Sequence, residues 1–209
     1  MGIIGFMVKK TPPSVLQVYA TDGYLAPLSS ESTFDTARNS PSSLIADIAT
    51  GAYAGIRTRT FGGNFWVYRS YLYFDLSALP GGATVTSVTL TVRAFSTFAS
   101  QVSIQQGTQT GTDNTGLVTG DWNAFTGSYF DFVQWINGFD PRNEFTFNSA
   151  GIAYVESVAG SVAKFCLREY DSDYLNVAPL DNTSNSNGMY YSAQAGETND
   201  PAITIEYTI

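Results

Sequence analysis

The alternation of apolar and polar positions is strongest between residues 69 and 95. In RSYLYFDL, Leu72, Phe74 and Leu76 alternate with Tyr71, Tyr73 and Asp75. In TSVTLTVRAF, Val88, Leu90, Val92 and Ala94 alternate with Ser87, Thr89, Thr91 and Arg93. A period of two sends successive side chains to opposite faces, so each segment predicts a strand with one aliphatic face. Pro80, Gly81 and Gly82 between them supply a fixed φ and then two permissive backbones, which is turn chemistry. The polar positions also carry aromatic or β-branched side chains, as strands of a sandwich do.

The same reading extends along the chain. SVLQVYA (14–20) predicts a strand with Leu16, Val18 and Ala20 on one face. Residues 21–50 are loop-rich, with short extended pieces near Thr33–Thr36 and Leu44–Ile48. Residues 52–63 read as a strand with Arg57 and Arg59 outward, and Gly62, Gly63 and Asn64 as a hairpin turn into FWVYRSYLYFDL. QVSIQQ (101–106) is a strand, 108–120 a polar loop, 130–136 a strand or a short helical turn, and 144–148 a short strand. One helix is expected over 148–160: Asn148 or Ser149 caps it, Ile152 and Val155 lie at i, i+3, and Gly160 ends it. Strands at 161–171, 189–194 and 202–208, with a long polar loop at 171–188, complete the pattern. Some ten strands at this spacing indicate an all-β chain, an antiparallel jelly-roll β-sandwich with one short helix. With no repeat and no shift of composition, residues 14–209 read as one domain behind an N-terminal arm, residues 1–13.

Composition narrows the function. Apolar residues are 44% and charged residues 13% of 209, so Ser, Thr, Asn, Gln, Gly and Tyr must cover much of the surface. The net charge is −8 and ten basic residues are scattered, whereas a nucleic-acid face needs clustered Lys and Arg. The absence of histidine removes Ser-His-Asp and Cys-His nucleophile systems and the usual zinc ligand sets. The single cysteine, Cys166, excludes an intrachain disulfide and reads as a buried structural thiol. In MGIIGFMVKKTPP the apolar run is short and precedes its lysines, the reverse of a secretory signal and too brief for a membrane span. It reads as a frayed terminus or as an arm that docks on a neighbouring subunit.

The central segment also resembles a known family. Arg69, Leu72, Phe74, Asp75 and Leu76, then Leu79, Pro80, Gly82 and Ala83, then a Val-rich strand, are similar to the hallmark of the DNRLRE-type jelly-roll modules. YATDGYL, FCLREYDSDYLNVAP and YYSAQAGETNDPAITIEYT resemble that family's opening strand, late Leu-Arg strand and closing strand, so the likeness covers about residues 15–208 in ordered pieces. It implies a jelly-roll fold and a non-catalytic role, since the family occurs as carbohydrate-binding modules, cell-surface modules and phage-particle proteins. Fold alone does not choose among those settings.

Two groups of residues are candidate sites. Arg69, Tyr71 and Tyr73, with Trp66, lie opposite the aliphatic face of their strand. They read as an interface, as a stacking platform for a sugar, or as a face covered by a further layer. Glu169, Asp171 and Asp173, with Asp181 beyond them, read as a solvated acidic loop or as oxygen ligands for calcium. No second carboxylate is placed to face them for glycoside hydrolysis. The expectation is therefore a non-enzymatic structural or attachment protein of a virion surface, a phage decoration or fibre component. Its partners would be further copies of itself or capsid and tail proteins, not nucleic acid or membrane. The alternative is a carbohydrate-binding module, extracellular or on a cell surface.

Overall fold

The computed structural model describes residues 12–47, 53–96, 100–136, 138–180, 184–190 and 199–209. Residues 1–11, Asp181 and the segment 191–194 lie outside them. Twelve strands are observed among the described residues. They are β1 (Ser14–Tyr19), β2 (Thr21–Pro27), β3 (Leu44–Asp47), β4 (Tyr53–Phe61), β5 (Asn64–Asp75), β6 (Thr84–Ser96), β7 (Gln101–Gly107), β8 (Phe125–Gln134), β9 (Gly138–Thr146), β10 (Val162–Glu169), β11 (Ser184–Tyr190) and β12 (Ala202–Thr208). Two helices join them, α1 (Phe34–Asn39) and α2 (Ser149–Ser157).

All pairings are antiparallel. One sheet runs β9–β6–β12–β1, so the first and last strands lie side by side. The second runs β3–β2–β5–β10–β7–β8. β4 and β11 link the two, with β4 on the first half of β5 and β11 touching β6 at Met189–Ala94. The turn from β4 to β5 is the expected one: Gly62 and Gly63 have φ of 59° and 72°, and Phe61 pairs with Asn64. Positive φ at both positions suits the twist of a two-residue hairpin, and glycine adopts it without a Cβ clash.

The sandwich core contains the aliphatic faces read from the sequence. Leu72, Phe74, Val88, Leu90, Val92, Ile203 and Ile205 are buried there with Phe145 and Phe165. α2 lies against it through Val155, capped by the Asn148 side chain, which accepts from the amides of Ala150 and Gly151.

Two stretches differ from expectation. Thr33–Thr36 starts a helix and is not extended: Thr33 Oγ1 caps the Thr36 amide, and Phe34 and Ala37, one turn apart, are buried. β2 was hidden because most of its residues are buried without alternation, and Gly23 and Pro27 mimic loop chemistry. Residues 130–136, ambiguous by period, belong to β8 up to Gln134.

The facing of the central strands is testable by denaturation. Phe74→Ala should cost about 3–5 kcal/mol, as for a buried aromatic truncated to Ala, whereas Thr89→Ala on the outer face of β6 should move the midpoint little. Equal small shifts for both would contradict the assigned facing.

Candidate functional site

Strand β5 is buried on both faces. From Arg69 to Phe74 every residue is buried, although period two should leave alternate positions outward. The reason is a second, smaller core on the outer side of the second sheet. Leu25, Val67, Tyr71, Tyr73 and Cys166 of the sheet pack there against Phe34 and Ala37 of α1, and against Leu117 and Trp122 of the loop before β8.

The expected outward platform of Arg69, Tyr71 and Tyr73 is therefore corrected. These side chains are enclosed by α1 and by the 108–124 loop, the covering layer that was one of the readings open from sequence. Tyr71 donates to the carbonyls of Asp121 and Trp122, both at 2.8 Å, and Tyr73 to that of Thr110 at 2.9 Å. Burial pushes both phenols above their usual range. Cys166 is fully buried in the same layer, and desolvation raises its thiol to about 12, so it stays protonated at neutral pH.

Arg69 is enclosed completely and organises this layer. Its Nε and Nη2 donate to the two carboxylate oxygens of Asp173 at 2.8 and 2.7 Å, a bidentate pair. Its remaining donors reach the carbonyls of Trp122 and Arg38 and Oδ1 of Asn123. Arg168 grips the same carboxylate through Nε at 3.1 Å and Nη2 at 2.7 Å, and Gln105 Oε1 through Nη1. Arg38, at the end of α1, donates Nε to the Asp173 carbonyl at 2.7 Å. Ring faces supply further stabilisation. The Arg69 guanidinium lies 4.4 Å from the centre of Trp122, and that of Arg168 lies 4.2 Å from Phe125. Desolvation pushes the Asp173 carboxyl up, but the two guanidiniums and their hydrogen bonds more than reverse this and hold it well below the usual carboxylate range.

The acidic residues expected as calcium ligands have separate tasks. Asp173 is occupied by arginines. Glu169 caps the turn Tyr170–Tyr174, accepting from the amides of Asp171, Ser172 and Asp173. Asp171 is exposed. The turn is wide, closed by amides of Leu175 and Val177 bonding five residues back to Tyr170 and Ser172. No cluster of three metal-ligating side chains occurs among the described residues, so the calcium expectation finds no ligand set there.

Three surface features remain. The first contains Trp66, half-buried on the β4–β5 hairpin. Arg59 pairs with it across the strands, its guanidinium 5.0 Å from the indole and 5.6 Å from the ring of Phe61. Arg57 and Tyr68 repeat the pattern two pairs along, at 5.8 Å. The second is a stack on the edge strand β8. Phe132 and Tyr170 lie 4.3 Å apart with planes at 9°, and Tyr170 and Tyr174 lie 5.3 Å apart at 8°. The stack fastens the turn to β8 and covers both faces of Tyr170. The third is a groove of about 350 Å³ across the outer face of the first sheet, with Gln17 and Tyr19 on one side and Arg93 and Arg142 on the other. Sequence reading found Trp66. It missed the groove, whose residues come from four strands. No protein-family model matches the chain, and no curated protein shows significant similarity to it.

The clamp makes two predictions. Asp173→Asn leaves Arg69 and Arg168 buried without their carboxylate and should cost about 3–5 kcal/mol, whereas Asp171→Asn should stay within about 0.5 kcal/mol. The acid limb of stability tests the same interaction. The folded pKa of Asp173 lies below the unfolded value of about 3.9, so its contribution is complete above that pH and is lost as pH falls through the folded value. Glu169 acts with the opposite sign: burial raises its pKa, so its contribution is full in acid and lost as pH rises. The Asp173→Asn variant should therefore show a shallower fall of Tm below about pH 4 than the parent chain. Separately, the melting curve should coincide in excess calcium and in chelator. A calcium-dependent rise in Tm would restore the metal reading.

Proposed function

We propose that this chain is a non-enzymatic structural or attachment protein of a particle surface, a phage virion decoration or fibre component, and that it docks through the β4–β5 hairpin. The observation that carries the reading is the cross-strand ladder of Arg57 with Tyr68 and Arg59 with Trp66, ending at Phe61, which is 60% exposed. Trp, Tyr and Arg are the side chains that dominate binding energy at protein interfaces, and a ladder on a hairpin presents them without further ordering cost. The likeness of residues 69–92 to particle-associated jelly-roll modules supports the same reading. The partner is a second copy of the chain or the shell of a capsid or tail. Among the described residues no helix is long and apolar enough to cross a membrane.

A second reading, a carbohydrate-binding module on a cell surface or beside a secreted enzyme, is favoured by the groove on the first sheet. There Tyr19, 40% exposed, stands beside Gln17 and Thr91, which suits a sugar ring and its hydroxyls.

Light scattering and co-sedimentation with purified shells test the first reading. Trp66→Ala combined with Arg59→Ala should weaken association by about 2 kcal/mol or more, with an unchanged circular dichroism spectrum. Deletion of residues 1–10 should weaken it further if the arm docks as well. Association that survives the hairpin double variant would exclude the hairpin, and retention on a neutral glycan array in its place would favour the second reading.

A further inference from the structure

β1 ends the first sheet, and its outer side is open. The Ala20 amide donates to the Pro201 carbonyl at 2.8 Å, and the β1–β12 register runs without a shift from Ser14 to Tyr19. Residues of an antiparallel strand direct their backbone groups to alternate sides, so Ser14, Leu16 and Val18 face β12. The N–H and C=O groups of Val15, Gln17 and Tyr19 therefore point away from the sheet, and among the described residues no strand pairs with them. The side chains of these three residues are exposed, Val15 at 64%.

The other strands that end the two sheets are guarded, and β1 is not. β3 is four residues long and includes Asp47. β8 carries Asp131, and its register with β7 shifts between Ile104 and Gln106. β9 contains Pro141, Arg142 and Glu144. Short length, charge, proline and a bulge each hinder pairing with another chain. SVLQVY has no charged residue, no proline, no glycine and no bulge. In a chain of net charge −8, such an uncharged edge is where a second copy meets least repulsion. Pro12 and Pro13 precede it, and their fixed negative φ cannot make the left-handed turn of a two-residue hairpin at the start of β1.

We infer that β1 pairs antiparallel with β1 of a second copy, about a two-fold axis at Gln17. This register uses every open group. Gln17 faces Gln17, and Val15 of each copy faces Tyr19 of the other, each pair exchanging two hydrogen bonds. A slip of one residue in the axis, to Leu16, would bring Pro13, which has no amide hydrogen, opposite Tyr19. Val15 and Tyr19 form a β-branched and aromatic cross-strand pair on the outer face. Leu16 and Val18, which pack against the sandwich core, meet across the inner face. The same surface serves both copies, so the contact closes at a dimer. Gln17 and Tyr19 also line the groove on the first sheet, and the axis sets the two grooves side by side. The inference stands apart from docking by the hairpin: self-association belongs to β1, and the hairpin contact is then the one made with the shell, read by co-sedimentation.

Sedimentation velocity of the full chain over a concentration series tests the pairing, and a dimer is expected. Gln17→Lys and Gln17→Glu each set like charges face to face at the axis. Each should weaken dimerisation about tenfold or more, and an equimolar mixture of the two should restore it. Gln17→Lys lowers the net negative charge, so weakening by that variant does not come from general repulsion. Ser128→Lys, at an exposed position on β8, should leave the dimer unchanged. Because Gln17 is exposed, circular dichroism should show the variants folded. Gln17→Cys should give a disulfide-linked dimer on mild oxidation, since opposite residues of a hydrogen-bonded pair lie about 5.5 Å apart between Cα atoms, within disulfide reach. Cys166 is buried and does not compete. A monomeric full chain, a dimer undiminished in both charge variants, or a mixture that stays monomeric would overturn the inference. A monomeric full chain that dimerises once residues 1–10 are deleted would overturn it too, assigning the edge to the chain's own arm. Loss of the dimer in the Trp66→Ala, Arg59→Ala double variant, with the Gln17 variants still dimeric, would move self-association to the hairpin. Loss of shell binding in that double variant with the dimer intact supports both contacts.

Discussion

The Asp173 carboxylate is the point on which the outer layer depends. A guanidinium enclosed as completely as that of Arg69 is costly in a low-dielectric interior unless its charge is matched and its donors are used. Asp173 matches it from a turn 104 residues further along the chain, and it matches Arg168 at the same time. One carboxylate cannot neutralise Arg38, Arg69 and Arg168 together, and the surplus is shared among carbonyl oxygens, amide side chains and the faces of Trp122 and Phe125. The arrangement therefore joins α1, the loop before β8 and the Tyr170–Tyr174 turn in one network. Weakening any one of them exposes the charge of the others.

The two sheets consequently differ. The second is covered on both faces, by the sandwich core within and by the clamped layer without, so its central strands carry aromatic side chains that never reach solvent. Among the described residues, no second layer encloses the outer face of the first, where Thr89, Thr91 and Arg93 on β6 and Thr204 on β12 are half-buried and Glu206 is exposed. Accessible chemistry is displaced accordingly, to the hairpin that extends past the covered region and to the groove on the first sheet. The Phe132–Tyr170–Tyr174 stack ties the turn after β10 to the edge strand β8.

Several features were legible in the chain because each is decided by neighbours in sequence. Period two located β5, β6 and β12 and the side of each that enters the sandwich. Glycine pairs and an Asn cap fixed the β4–β5 turn and the start of α2, since positive φ and capping are properties of a few consecutive residues. β2 and α1 escaped, the first because burial on both faces erases alternation and the second because a six-residue helix presents only one apolar turn.

The amino-acid sequence by itself determined that the protein is an antiparallel β-sandwich, with the faces of β5, β6 and β12 that fill its core, because periodicity and turn chemistry act over a few residues. Only the tertiary structure decided what happens on the opposite faces. Arg69, Tyr71 and Tyr73 have the pattern of an exposed stripe, and they are interior because Asp173, Trp122 and the Arg38 carbonyl converge on them from distant segments. Arg93 and Arg142 look like two scattered charges and become a pair because the register of β6 and β9 sets them face to face. Such matches between far-apart segments leave no local period, so they are decided by how the strands and loops pack.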